Sequence, residues 1–129
     1  MPSQFIRVLI ESAPSLRDLK RLVARIRANL TPNLLQPKYR GGATESAGHC
    51  YVACEALYHL GARERGYRPA VIRMGDITHW FLIDAQGAVL DPTGDQFPEP
   101  VDYAKGRRIG FLTREPSKRA RLLMDRVLS

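Results

Sequence analysis

The residues in this chain that could do covalent chemistry are two cysteines, three histidines and a few well-spaced aspartates. Cys50 is expected in the first turn of a helix. Unpaired N–H groups and the positive end of the helix dipole there favour thiolate over thiol. A thiolate is the nucleophilic form, and it needs a base beside it. Cys54 lies one turn further in, without that help. His49 adjoins Cys50, but neighbouring helix positions point about 100° apart. His59 falls about 13 Å down the same helix axis. His79 begins a strand, so it alone can be set opposite the helix start by the fold. Asp91 ends the next strand, and with the turn near Ala85-Gln86 the partner of His79 falls at about Asp91 or Pro92. An acid there holds one imidazole nitrogen and leaves the other for the sulfur. Cys50, His79 and Asp91 thus read as nucleophile, base and orienting acid for attack on a carbonyl.

Oxyanion stabilisation would come first from the backbone N–H of Cys50. Gln36 and Gln96 are both candidates for a second donor. His49 and Trp80 flank the principal residues and are further candidates for substrate contact. Trp80, Phe81, Tyr51 and Tyr58 are otherwise expected as core and cleft wall. The same residues have another use, a zinc site built on Cys50, Cys54 and His79, joined by His49 or Asp91. A Cys-x₃-Cys spacing on one helix is not a usual zinc pattern, so neither metal nor cofactor is expected.

The elements that must position these residues are legible in outline. Gln4–Ile10 could form a short strand. Ser15, answered by Asp18, caps a helix whose Leu16, Leu19, Leu22, Val23, Ile26 and Leu30 recur at helical spacing. Thr31-Pro32-Asn33 is expected to end it. The stretch 32–48, with Pro32, Pro37 and Gly41-Gly42, is long for a plain connection and suggests a binding loop. A second helix is predicted from about Ala47 to Leu60, with Ser46 as cap and Gly61 as stop. Strands are predicted over Arg68–Met74, His79–Asp84 and Ala88–Asp91, the last two joined as a hairpin through Asp84-Ala85-Gln86-Gly87. A basic amphipathic segment spans 113–129, its helix running from about Glu115 to Leu128 on a stripe of Leu122, Leu123, Val127 and Leu128. Helices and antiparallel strands in this order make an α+β domain covering 1–129.

At 129 residues and 44% apolar content the chain fits one domain with a real core. No apolar stretch approaches the length of a membrane span, and the start lacks the pattern of a secretion signal, so a cytoplasmic protein with no membrane partner is expected. A disulfide between Cys50 and Cys54 would close almost no loop, which fits reduced thiols. Net charge is +7 and unevenly spread. From Lys105 onward eight Lys or Arg stand against Glu115 and Asp125. Such a tail can steer toward nucleic acid or an acidic partner, which would make the chain a non-catalytic binding module. The plainer reading, a solvated helix face, is preferred, because no nucleic-acid motif accompanies it.

Gly48-His49-Cys50, the helix Tyr51–Leu60, Gly66-Tyr67-Arg68-Pro69-Ala70-Val71-Ile72-Arg73, Thr78-His79-Trp80-Phe81-Leu82-Ile83-Asp84 and Val89-Leu90-Asp91-Pro92-Thr93 resemble, in order, the core of transglutaminase-like proteins. That family is papain-like and related to arylamine N-acetyltransferases. The resemblance covers 48–93, which it implies to be the catalytic core, with Cys50 as nucleophile, His79 as base and Asp91 as orienter. It implies acyl transfer through a thioester on a peptide, protein or small amide: cleavage, deamidation or transfer to an amine. Trp80 follows His79 directly, where the family usually has its Trp two residues after the His. The chain is also shorter than cross-linking transglutaminases and shows no acetyl-CoA site, so hydrolysis or deamidation is the simpler expectation.

Overall fold

In a computed structural model of the chain, the described residues are 14–31, 34 and 49–129. The strand expected over Gln4–Ile10, the Ser46 cap, Gln36 and nearly all of the 32–48 stretch lie outside them. Helix α1 spans Leu16–Ala28. Ser15 caps it as expected. Its hydroxyl accepts from the Asp18 N–H at 3.1 Å, and the Asp18 carboxylate accepts from the Ser15 N–H at 3.2 Å. The reciprocal pair satisfies two donors that a helix start leaves open. The helix ends before the Thr31 signal, because Asn29 serves as C-cap and its amide donates to the Arg25 carbonyl at 2.8 Å. Leu30 therefore lies past the helix, yet it is buried with Leu19 and Ile26.

Helix α2 spans Cys50–Leu60, not Ala47–Leu60. Its first backbone bond runs from the Ala53 N–H to the His49 carbonyl at 2.9 Å. His49 is therefore the N-cap residue, and Cys50 opens the first helical turn, as expected. Val52 through Leu57 are all buried, so α2 is the central helix. It packs against α1, against the C-terminal helix and against the second strand.

The sheet has four antiparallel strands: β1 Arg68–Met74, β2 Ile77–Ile83, β3 Val89–Leu90 and β4 Arg107–Arg108, in the order β3-β2-β1-β4. Strand β2 begins two residues before His79, and β3 is shorter than expected. Pro92 has no N–H to extend a ladder. In the β2–β3 turn the Asp84 side chain accepts from the Gln86 N–H at 2.9 Å and the Ala88 N–H at 2.8 Å. Gly87 takes φ 87°, a left-handed conformation that glycine reaches at no steric cost. Strand β4 was not anticipated. Two arginines carry no strand pattern, but a short charged strand is what a sheet edge tolerates.

One face of the sheet meets the helices, with Trp80, Leu82 and Leu90 packed among α1, α2 and the last helix. The other face, Ala70, Ile72 and Phe81, is covered by Val101 and Tyr103. Helix α3 spans Lys118–Leu128, three residues later than the start expected at Glu115. The residue before a proline is held out of helical conformation, so Glu115 ahead of Pro116 cannot begin it. Ser117 caps α3, accepting from the Ala120 N–H at 3.2 Å. The apolar stripe is also corrected: Leu123 and Val127 are buried with Ala120, while Leu122 and Leu128 are exposed. Glu55, fully buried in mid-α2, accepts from both the N–H and the hydroxyl of Ser117 at 2.7 Å. A carboxylate at the positive end of α3 joins the two helices. The architecture is α+β, and among the described residues no helix is long and apolar enough to cross a membrane.

Candidate active site

Three elements converge near the start of α2. Cys50 is the first residue of that helix, 7% exposed, with its sulfur 3.8 Å from the Thr78 carbonyl of β2. The His49 side chain makes no cap bond to this helix start. Strand β3 pairs only with Leu82 and Ile83. The earlier part of β2 therefore has no strand on that side among the described residues.

His79, in β2, is fully buried. Its Nε2 donates to Asp91 Oδ2 at 2.7 Å. The pairing is not the one expected from the turn. Leu82 faces Leu90 and Ile83 faces Val89. Continued, this register sets Phe81 opposite Asp91 and His79 opposite Thr93. The Asp84 N–H bonds the Ala88 carbonyl at 3.0 Å, so three residues rather than two make the turn. His79 and Asp91 meet as a diagonal pair on one face, still within side-chain reach.

With Nε2 committed to Asp91, Nδ1 is the nitrogen left to exchange a proton with Cys50. It is buried and has no hydrogen-bond partner at ordinary geometry among the described residues. Burial lowers the proton affinity of His79, but its hydrogen bonds to Asp91 and Cys50, with their charges, outweigh it. The net effect raises its pKa from 6.5 to about 9. An imidazolium between a carboxylate and a sulfur is the state a thiolate nucleophile uses.

Asp91 is held by more than His79. The same Oδ2 accepts from the Tyr103 hydroxyl at 2.6 Å, and Oδ1 accepts from the Thr93 N–H at 3.3 Å. Phe97 sets its ring edge-on to His79, with centroids 4.8 Å apart. Arg27 of α1 binds the Asp95 carboxylate through two nitrogens, at 2.8 and 2.6 Å, and donates to the Pro92 carbonyl. It thus ties the segment after Asp91 to the helical layer. Sequence reasoning placed Asp95-Gln96-Phe97 at the mouth of the site but missed Tyr103 and Arg27. A phenol at position 103 carries no local signal of its partner twelve residues earlier. The residues around the site also run past Thr93, beyond the 48–93 segment.

The remaining candidates separate. His49 is buried and spends Nε2 on the Thr31 carbonyl at 2.9 Å, which anchors the helix start to the end of α1. Trp80 stacks on Phe111 at 5.5 Å and meets Tyr51 edge-on at 4.7 Å, within the helix-side core. It is not part of the His79–Asp91 hydrogen-bonded group. Gln96 precedes Phe97, and its side-chain carbonyl is buried without a partner among the described residues. Cys54 is fully buried against the Trp80 carbonyl at 3.3 Å. Burial, then the charges of Asp91 and Cys50, push its thiol pKa well up. Among the described residues no three His, Cys, Asp or Glu are grouped to hold a metal ion, so the zinc alternative has no ligand set there. In the basic C-terminal helix, Arg126 is engaged with Thr31 Oγ1 at 2.7 Å. No family model, curated protein or solved structure matches the chain.

Proposed function

We propose that the chain is a papain-like thiol enzyme, a hydrolase or acyltransferase acting on an amide, peptide or related acyl bond. The observation that carries this reading is His79, bonded through Nε2 to Asp91 at 2.7 Å and coupled through its charge to Cys50 at the tip of α2. A nucleophile at the first residue of a central helix, with its base on an adjoining antiparallel sheet, is also the layout that the transglutaminase-like resemblance implies.

In the proposed reaction the Cys50 sulfur attacks the substrate carbonyl and forms a C–S bond. The carbonyl π electrons move to oxygen, where the Cys50 N–H donates. Collapse breaks the bond to the leaving amine, which takes the proton carried by His79. Water, deprotonated by His79, or a second amine then attacks the thioester and releases Cys50. A second N–H would come from the side-chain amide nitrogen of Gln96 or Gln36 in this scheme.

The test is alkylation of the full chain with iodoacetamide at pH 6.5, with the site read by mass spectrometry. Cys50 is expected to take the label faster than free cysteine, and Cys50→Ala to abolish it. Acyl probes of the amide or ester class should leave an adduct on Cys50. Label found only on Cys54, or Cys50 reacting no faster than free cysteine, would overturn the proposal.

A further inference from the structure

We infer that Tyr103 is a positioning residue of this site, holding the Asp91 carboxylate on His79 while drawing charge from the oxygen that His79 uses. The inference rests on the proposed roles of Cys50, His79 and Asp91. Its basis is that one oxygen, Asp91 Oδ2, accepts two short bonds: from His79 Nε2 at 2.7 Å and from Tyr103 at 2.6 Å. Two donors on one carboxylate oxygen compete for the same charge. The phenol therefore fixes where the carboxylate points and limits how tightly it retains the imidazolium proton.

The surroundings are built for this contact. Tyr103 sits in a short 3-10 turn, Tyr103–Lys105, and its ring packs edge-on to Phe81 at 4.9 Å. The hydroxyl thus reaches Asp91 from the sheet face opposite the helices. Gly94 leaves the room. A Cβ there would lie 2.9 Å from Asp91 Oδ2 and 3.1 Å from the Tyr103 hydroxyl. Burial first, then the bond to Asp91, raise the Tyr103 pKa far above that of a free phenol, which keeps it a donor at every physiological pH. The ionisable groups acting on this node are Asp91 and Cys50 on His79, and Asp91 and Cys54 on Tyr103.

The test is a double-mutant cycle on the full chain, read by the His79 imidazole resonance through a pH titration. Tyr103→Phe keeps the ring and removes only the donor. It should raise the His79 midpoint by about one unit, because Asp91 Oδ2 then serves His79 alone. In an Asp91→Asn background the same substitution should shift nothing. A His79 midpoint that stays or falls in Tyr103→Phe, or an equal shift in both backgrounds, overturns the assignment. Gly94→Ala gives an independent arm: its Cβ would press on Asp91 and Tyr103 and should move the midpoint without replacing any ionisable group. The Tyr103 phenol, followed by ultraviolet absorbance, should titrate earlier in Asp91→Asn than in the parent chain. None of these readouts requires turnover. Loss of the enzyme reading would show in Cys50 labelling, and loss of this one in the cycle.

Discussion

Replacing Asp91 by Asn tests the electrostatics of the site most directly. The side chain keeps its size but loses the charge that opposes desolvation of His79. In the parent chain burial pulls the imidazolium down, and Asp91 with Cys50 lifts it to about 9. With Asp91 neutral, burial remains and the larger opposing partner is gone, so the midpoint should fall to 6.5 or lower. At pH 7.5 the imidazolium fraction then drops from about 97% to about 9% or less. A thiolate beside a neutral imidazole loses its counter-ion, and Cys50 alkylation at that pH should slow by roughly tenfold.

Two assays follow the change. Titration of the His79 imidazole by NMR reads the midpoint itself, and timed iodoacetamide labelling reads its consequence at sulfur. The charge of His79 acts on Cys50, so both assays should shift together. The reasoning fails if His79 in the parent chain already titrates at or below 6.5. It fails equally if Asp91→Asn leaves midpoint and labelling rate unchanged.

Stability should carry the same signature. The folded value of His79 lies above its ordinary one, so the stability it contributes is whole below pH 6.5 and lost as pH rises through about 9. The loss should be on the order of 3 kcal/mol by denaturant unfolding, and a flat profile over that window would contradict it. Away from the site, Glu55→Ala strands the Ser117 N–H and hydroxyl and opens space between α2 and α3. Roughly 2–5 kcal/mol should be lost in urea unfolding, and a change under 0.5 kcal/mol would mean the buried carboxylate is replaced by solvent without cost.

What the sequence revealed was local. The Ser15–Asp18 cap, the helix from Cys50 to Leu60 and the Asp84–Gly87 turn each rest on residues within a few positions of one another, where propensity and short-range bonds decide. The Asp91 register needed more. It hung on whether two or three residues make the turn, and the two N–H groups gathered by Asp84 Oδ1 decide that. With three residues in the turn, Thr93 falls opposite His79, and Asp91, two positions before it, lies diagonal to His79 on the same face. Tyr103, Glu55 with Ser117, and Arg27 with Asp95 were not legible. Their partners lie 12 to 68 residues away, and no periodicity encodes such pairs.

The Cys-x₃-Cys spacing is not a usual zinc pattern, and the fold gives it another meaning. Four residues advance a helix by about 6 Å, and two residues advance a strand by about 6.6 Å. Thiols at 50 and 54 can therefore rest on alternate carbonyls of β2. Cys50 lies 3.8 Å from the Thr78 oxygen and Cys54 3.3 Å from the Trp80 oxygen. Cys54, fully buried and held protonated, acts as the register key between helix and strand. Sliding α2 by one residue would break that contact and turn position 50 by about 100°, away from the strand that carries His79. The inert Cys54 thus sets the geometry in which Cys50 meets the strand that carries His79.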